Sequence, residues 1–126
     1  MRVLIVDDQP RARQSLIAVL KVWHHLDEVR EAANGAEAVR LIEASQPDSV
    51  WMDVRMPAMD GLQATRLIKS KWPRIKIILL SLYPEYRADA LAAGADAFVS
   101  KSDSPDKLRA ALATVMANSE KESPAC

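Results

Sequence analysis

The chain is poor in cysteine, in glycine and in long apolar runs, and each shortage excludes a class of protein. Its single cysteine is Cys126, so the sequence offers no disulfide framework and no cysteine metal cluster, and we expect a reducing cytoplasm. Three glycines provide no glycine-rich loop for nucleotide phosphates, which disfavours a nucleotide- or flavin-binding protein. No apolar run approaches the roughly 20 residues that cross a bilayer. The first apolar run is too short for a signal peptide and ends in Asp7-Asp8.

Net charge is also lacking, because 17 basic residues balance 17 acidic ones. We therefore expect this domain to bind neither nucleic acid nor an anionic membrane directly. What is present is ordinary for a globular protein, with 49% hydrophobic and 27% charged residues in a chain of 126. That length is sufficient for one domain with a full core and too short for two.

Five short apolar runs alternate with five segments of helical spacing, which predicts a doubly wound α/β fold around a parallel sheet. Val50–Met52 is the clearest strand, since it is apolar on both faces as buried parallel strands are. The run from Glu28 to Ala33 is the most polar, which places it at a sheet edge. The predicted strands are 3–6, 28–33, 50–52, 76–80 and 96–99, and the predicted helices are 10–23, 36–44, 61–72, 84–94 and 105–118.

Local turn signals set the limits of these elements. Asn34-Gly35 alone favours a β-hairpin, but residues 36–44 have helical composition and spacing, so we predict a strand-to-helix turn. Gly94 is the residue type expected just past a helix end. The residues beyond Asn118 are polar, and we expect them to fray. The predicted domain is therefore 1–118, with 119–126 a polar tail or the start of a linker.

A polar side chain follows four of the five predicted strands. Asp7 and Asp8 follow the first strand, Asp53 the third, Ser81 the fourth and Lys101 the fifth. Each of these residues has a simpler explanation when it is considered alone. The paired acids could cap a helix, Asp53 could be a turn residue, Ser81 could be a cap and Lys101 could be a surface lysine. Because open α/β sheets place their ligands at the carboxyl ends of the strands, we expect these side chains to form one site.

The chemistry of the set suits a phosphoryl group. Asp53 supplies a carboxylate nucleophile that can form an acyl phosphate. Asp7 and Asp8 offer oxygen ligands for Mg²⁺, which screens the charge of carboxylate and phosphate. Lys101 adds a positive charge and Ser81 a hydroxyl donor for the phosphoryl oxygens. Helix capping would not require a serine and a lysine on the neighbouring strands.

These residues, in this order, resemble the receiver domain of two-component response regulators. Asp53 is followed by Met56-Pro57 and by Asp60-Gly61, and the patterns at 33–38 and 93–96 are similar to the family as well. The resemblance covers about residues 1–118. It implies a flavodoxin-like (βα)5 fold with strand order 2-1-3-4-5.

The resemblance also implies a role for each residue. Asp53 is the expected phosphoacceptor, and it binds Mg²⁺ together with Asp7, Asp8 and the backbone carbonyl of Arg55. Lys101 and Ser81 are the expected catalytic partners. Ser81 and Phe98 are the expected switch pair: Ser81 moves toward the phosphate, and Phe98 enters the space that it leaves.

The implied function is a phosphorylation-dependent signalling switch. A histidine kinase or phosphotransfer protein donates the phosphoryl group, and the surface of the fourth helix, fifth strand and fifth helix then controls an output domain or effector, including in transcription regulation. Hydrolysis resets the switch, so the domain catalyses only its own phosphorylation and dephosphorylation. A homodimer of the phosphorylated form is an open alternative.

Three positions depart from the family pattern. Leu82 stands where a small residue is usual and would narrow access to Asp53. Ser102 replaces a proline that many members carry, which gives no support for a cis bond there. Phe98 lacks a tyrosine hydroxyl, so the switch must work by burial.

Two other functions fit the sequence less well than the switch. An aspartyl phosphatase needs a second acid two residues after its nucleophile on the first strand, but Gln9 follows Asp7-Asp8. A binding module that works without phosphorylation is disfavoured because all five site positions are filled, although Leu82 keeps it open. His24-His25 is not expected to bind metal, because adjacent helical side chains point about 100° apart.

Overall fold

The computed structural model describes residues 1–122, with side-chain surroundings through Val115. Five strands alternate with five α-helices in chain order. The strands are β1 Arg2–Val6, β2 Glu28–Ala32, β3 Ser49–Asp53, β4 Lys76–Ser81 and β5 Ala97–Ser100. The helices are α1 Pro10–Trp23, α2 Gly35–Ala44, α3 Gly61–Lys71, α4 Arg87–Ala92 and α5 Pro105–Glu122.

The five strands form one parallel sheet in the order β2-β1-β3-β4-β5, which confirms the expected topology. β2 is an edge strand, as its polarity predicts. There Arg30 donates from Nη1 to the carbonyl of Leu41 at 2.9 Å and from Nη2 to the carbonyl of Ser45. Its guanidinium thus adds a second donor to the Leu41 carbonyl, which also accepts from the Ser45 amide, and a donor to the Ser45 carbonyl at the end of α2.

The register of the strands brings the predicted site residues to one level of the sheet. Val6 pairs with Met52, so the residues that follow them, Asp7 and Asp53, stand side by side on adjacent strands. Asp53 pairs with Leu80, and Ser81 pairs with Ser100, the residue before Lys101. The carboxyl ends of β1, β3, β4 and β5 therefore meet along one rim.

The core has two layers, one on each face of the sheet. Val50 and Met52 face a cluster that includes side chains of α2, α3 and α4, whereas Trp51 faces a cluster with side chains of α1 and α5. All three are fully buried, which explains why this strand is apolar throughout. Burying each such side chain contributes about 1.5–3 kcal/mol, so the central strand anchors both layers.

Two helix starts follow the sequence signals. Asn34 accepts a hydrogen bond from the Glu37 amide through Oδ1 at 2.8 Å, so the turn into α2 is confirmed and the hairpin alternative is wrong. Asp60 caps α3 in a reciprocal capping box with Gln63.

The fourth helix differs from its prediction. Residues 84–86 form a single 3-10 turn, and a regular helix begins only at Arg87. Ala90 is the one buried residue of α4, so little packing energy supports a longer regular helix. Gly94 has a φ of 106° and lies just beyond the helix, as expected of a glycine there.

The fifth helix is longer than predicted, because it passes Asn118 and continues to Glu122. The rest of the predicted tail, residues 123–126, lies outside the described part of the chain. Within residues 1–122, no helix combines the length and the apolar character that crossing a bilayer demands.

Candidate functional site

The structure brings three carboxylates and one ammonium together at the carboxyl rim of the sheet. Lys101 Nζ donates to Asp7 Oδ2 at 2.9 Å and to Asp53 Oδ2 at 3.3 Å. One oxygen from each of Asp7, Asp8 and Asp53 lies within 4.8 Å of the other two. Residues that are up to 94 positions apart along the chain thus converge on one small volume.

The backbone around Asp7 holds its carboxylate in place. Asp7 is buried, and its Oδ1 accepts a hydrogen bond from the Gln9 amide at 2.9 Å. Its own carbonyl accepts from Arg13 Nη1 at 2.6 Å, and Asp8 beside it is exposed. The N-cap of α1 is Gln9, which makes no side-chain cap bond, so neither aspartate occupies the capping position.

The loop after Asp53 is held against the sheet by close backbone contact. The Gly61 amide donates to the carbonyl of Val54 at 2.8 Å. A Cβ on Gly61 would lie 2.3 Å from the carbonyl oxygen of Asp53, so a larger residue could not fit without moving the backbone of the strand end. Ala58, at the tip of the loop, has a φ of 66°, a conformation that strains a non-glycine residue.

Ser81 lies beside Asp53 at the end of β4. It is almost fully buried, and its Oγ accepts a hydrogen bond from the Tyr83 amide at 3.0 Å. A hydroxyl can accept and donate at once, so Ser81 can still direct its hydrogen at a neighbouring oxygen. A pocket of about 310 Å³ opens here, lined by Asp53, Arg55, Ser81, Leu82, Tyr83 and Lys101.

The exposure of Leu82 bears on the predicted obstruction of the site. Leu82 lines the pocket but remains 62% exposed, an unusual position for a large apolar side chain. It therefore lies at the mouth of the pocket. Its effect on access to Asp53 stays a prediction.

The electrostatics of the site reflect a surplus of negative charge. Burial, together with the charge of Asp7, raises the pKa of Asp53 above its ordinary value, although Lys101 and the Arg55 amide oppose the shift. Burial lowers the pKa of Lys101, but its hydrogen bonds and charge interactions with Asp7 and Asp53 outweigh burial and raise that pKa overall. Lys101 therefore stays protonated and compensates only part of the acidic charge.

The donor set fits a hard divalent cation. Three carboxylates converge, and oxygen ligands are those that Mg²⁺ prefers. The pKa of Asp53 is raised by burial and by the charge of Asp7, so ionising this carboxylate is costly here, and a dication would relieve that cost. The residues present therefore fit Mg²⁺. The Arg55 carbonyl as a further ligand remains a prediction.

Phe98 does not reach the pocket. Its ring is buried in the layer that includes α2, α3 and α4, and the Arg87 guanidinium lies 5.1 Å from its centroid. The ring is thus already inside the core in this conformation. Any change of Phe98 that accompanies a movement of Ser81 would be a rearrangement within the core rather than the burial of an exposed ring.

Two features of the site were not predicted from the sequence. The Arg55 guanidinium lies 5.2 Å from the centroid of the Tyr83 ring at the pocket mouth. An apolar cavity of about 320 Å³ adjoins the site between α1 and α5, with Trp51 among its lining residues. The first had a usable signal, because Arg55 and Tyr83 each stand two residues beyond a predicted site residue. The second depends on helix placement, which sequence spacing does not provide.

Solved structures of similar fold include response regulators. The chain superimposes with a TM-score of 0.87 and 31% identity on a LuxR-family two-component response regulator from Aurantimonas sp., covering 93% of this chain and 85% of that one. It superimposes with a TM-score of 0.82 and 35% identity on the response regulator protein TrrA from Thermotoga maritima in complex with Mg(2+)-BeF, covering 90% of this chain and 97% of that one.

Curated relatives give the same family. The chain is 35% identical over 117 residues to the transcriptional regulatory protein LnrK of Bacillus subtilis, covering 91% of this chain and 53% of that protein. It is 40% identical over 128 residues to protein-glutamate methylesterase/protein-glutamine glutaminase 3 of Anaeromyxobacter dehalogenans, covering 94% of this chain and 37% of that protein. The chain thus spans about half the length of the first of these relatives and less of the second. The family model described as response regulator receiver domain matches residues 3–113, and the chain belongs to that family.

Proposed function

We propose that this receiver domain is a signalling switch that accepts a phosphoryl group on Asp53. The observation that carries the proposal is the position of Lys101 Nζ, which bridges Asp7 and Asp53 within a cluster of three converging carboxylates. A structural ion pair would need one acid for one ammonium. Here two acids, Asp7 and Asp53, share one ammonium, a carboxylate oxygen of Asp8 lies within 4.8 Å of theirs, and a pocket lies over Asp53.

The proposed reaction is an in-line phosphoryl transfer. A carboxylate oxygen of Asp53 attacks the phosphorus of the donor and forms a new O–P bond, while the bond from phosphorus to the donor atom breaks and the donor leaves with the electron pair. Attack of water on the same phosphorus later releases inorganic phosphate and restores the carboxylate. The domain therefore catalyses only its own phosphorylation and dephosphorylation.

The residues around Asp53 have separate tasks. Lys101 orients the Asp53 carboxylate and supplies positive charge to the phosphoryl oxygens. Ser81 donates its hydroxyl hydrogen to one of those oxygens while still accepting from the Tyr83 amide. Asp7, Asp8, Asp53 and the Arg55 carbonyl would hold Mg²⁺, which when bound neutralises charge on the attacking and transferred groups.

The switch acts through partners. We propose that a histidine kinase or phosphotransfer protein in the cytoplasm is the donor, and that the surface of α4, β5 and α5 changes to control an output domain or effector. The transcriptional regulator among the relatives is about twice as long as the chain, which supports an attached output domain. Residues 1–118 would then be the receiver and 119–126 a tail or linker.

The balanced charge of the chain supports an indirect role in any nucleic-acid binding, through that partner rather than through this domain. It likewise disfavours direct contact with an anionic membrane. A homodimer of the phosphorylated form remains an alternative output.

Treatment with acetyl phosphate and Mg²⁺ tests the assignment of Asp53. We expect one phosphate-mass adduct by intact mass spectrometry, and no adduct in Asp53→Ala because the nucleophile is gone. A chelator should also prevent the adduct, since the three acids then lack the cation that screens them.

Asp89→Ala is the matched control, because Asp89 is an exposed carboxylate on α4. This variant should form the adduct at the rate of the unaltered protein. An adduct that persists in Asp53→Ala would refute the site.

A further inference from the structure

Tyr83 is held in place by two residues that line the pocket over Asp53. Its ring lies under the Arg55 guanidinium, with 5.2 Å from Cζ to the ring centroid. Its amide donates to Ser81 Oγ at 3.0 Å. Tyr83, Arg55 and Ser81 all line the same pocket as Asp53. A group that enters this pocket therefore meets both supports of Tyr83.

We propose that the Arg55 side chain is a second positive group for the phosphoryl group on Asp53, and that its transfer from the Tyr83 ring to the phosphoryl oxygens releases Tyr83. This inference rests on the proposed function. It concerns the guanidinium of Arg55, separately from the backbone carbonyl considered as a metal ligand.

The competition favours the phosphoryl group. A cation–π contact at an exposed site is weak, and both Arg55 and Tyr83 are exposed. A guanidinium donates two parallel, charge-assisted hydrogen bonds to phosphoryl oxygens, which are about twice as strong as neutral ones. Because Arg55 is exposed, its side chain can turn from the ring to the pocket without disturbing the core.

The charge of the site favours movement of the Arg55 guanidinium toward the pocket. Among the described residues that line the pocket, the other cation is Lys101, which already donates to Asp7 and Asp53. A phosphoryl group carries about −1.5 to −2 of charge at neutral pH, and because the acyl bond removes the −1 of the Asp53 carboxylate, the site gains about −0.5 to −1. Bound Mg²⁺ would offset the charge of the three acids, and Arg55, which lines the pocket, is positioned to meet the charge that the phosphoryl group adds.

Release of Tyr83 has a route toward α4. The Tyr83 and Tyr86 rings meet edge to face, with centroids 6.3 Å apart and planes at 75°. Tyr86 ends the 3-10 turn before α4 and packs against the core. A freed Tyr83 therefore removes a support from the start of the α4 surface, by a path through the two tyrosine rings that does not involve Phe98.

Fluorine NMR can follow the two rings directly, because the chain has two tyrosines, Tyr83 and Tyr86. Labelling with 3-fluorotyrosine gives two resonances, which Tyr83→Phe and Tyr86→Phe assign. Without phosphodonor, Arg55→Gln should shift the Tyr83 resonance, because the ring loses its cation. Arg74→Gln, which removes an exposed arginine beyond the opposite end of the sheet, should leave that resonance unmoved.

Phosphorylation of the unaltered protein with acetyl phosphate and Mg²⁺ should move the Tyr83 resonance toward its Arg55→Gln position. In Arg55→Gln the same treatment should move it far less. Adduct formation, followed by mass spectrometry, should slow about tenfold in Arg55→Gln and recover in part in Arg55→Lys, which restores the charge without the bidentate donor.

The outcomes separate the inference from the function on which it rests. An Arg55→Gln spectrum identical to that of the unaltered protein before phosphodonor overturns the contact and the inference with it. A complete adduct with an unmoved Tyr83 resonance overturns the inference alone. Absence of an adduct in the unaltered protein overturns the proposed function together with the inference.

Discussion

Charged side chains are paired differently at the two ends of the sheet. At the carboxyl rim, Lys101 donates to both Asp7 and Asp53, and a carboxylate oxygen of Asp8 lies within 4.8 Å of theirs. At the amino end, Lys69 Nζ donates to Asp96 Oδ2 at 2.9 Å and to the carbonyls of Ile75 and Pro73 at 2.9 and 3.2 Å. Asp96 Oδ2 also accepts from the Ile77 amide at 2.8 Å.

The contrast distinguishes charged groups that stabilise the fold from charged groups that are available to bind a cation or an anionic group. At the amino end Lys69 and Asp96 pair with each other and make further hydrogen bonds, which join α3 to β4 and to the start of β5. At the carboxyl rim the described acids outnumber the ammonium groups. The acids lie close together there because the register of the strands brings the strand ends to one level of the sheet. A surplus of this kind is expected where a cation and an anionic group bind.

The largest effect is expected from breaking the matched pair at the amino end. Lys69→Met should lower the free energy of unfolding by about 2 kcal/mol, because Asp96 stays largely buried and loses its cation. Chemical denaturation at neutral pH measures the change. Lys71→Met is the matched control: Lys71 is 50% exposed and lies 3.7 Å from Glu43, so its loss should cost under about 0.5 kcal/mol. Equal losses in the two variants would remove the distinction between the two ends.

Removing a negative charge at the carboxyl rim should change the free energy of unfolding in the opposite direction. Asp53→Asn should raise the free energy of unfolding by at most about 1 kcal/mol at pH 7 without divalent cation, because it removes a half-buried, solvent-screened carboxylate that the fold disfavours in its ionised form. The pKa of Asp53 is higher in the folded protein than in the unfolded chain, where it is near 3.8. The contribution of Asp53 to stability is therefore fully present at pH values below the unfolded pKa, and it is lost as the pH rises through the folded pKa.

The difference in the free energy of unfolding between Asp53→Asn and the unaltered protein should therefore shrink toward zero as the pH falls to the unfolded pKa. Denaturation curves from pH 3.8 to pH 7 follow it. Saturating Mg²⁺ should stabilise the unaltered protein more than Asp53→Asn, since the cation binds the native acids. A variant that is less stable than the unaltered protein at pH 7 would show that the rim carries no electrostatic strain.

The smallest effect concerns the backbone beside the rim. Ala58→Gly should raise the free energy of unfolding by about 0.5 kcal/mol, because glycine adopts the positive φ of this loop without strain but loses more entropy on folding. Ala88→Gly, on the exposed face of α4, should instead lower it by roughly 1 kcal/mol. A loss of stability in Ala58→Gly would indicate that the loop is unstrained.

The sequence predicted the sheet and the rim because both follow from strand ends. Apolar runs locate buried strands, and a polar residue after each run is carried to the same edge once the strands are parallel and in register. Asp7, Asp53 and Lys101 were identified on that basis, together with the family resemblance. Their placement is observed, and their roles remain proposals.

Features that depend on helix packing or side-chain direction were not predictable in the same way. The segment at 84–86 has helical composition, but whether it forms a 3-10 turn depends on how little of α4 is buried. The ring of Phe98 lies in the core beneath Arg87, a contact that local spacing does not encode. The contact of Arg55 with Tyr83 likewise requires the positions of two neighbouring strands.

The guanidinium of Arg30 has a consequence for how the molecule associates. An edge strand normally presents unpaired amides and carbonyls on which a strand of another protein can be added. On β2, three of the five residues are charged (Glu28, Arg30 and Glu31), and Arg30 donates hydrogen bonds to carbonyls at the end of α2. Strand addition at this edge would have to desolvate those charges, so the β2 edge is protected against pairing with a strand of another protein and association is left to other surfaces of the domain.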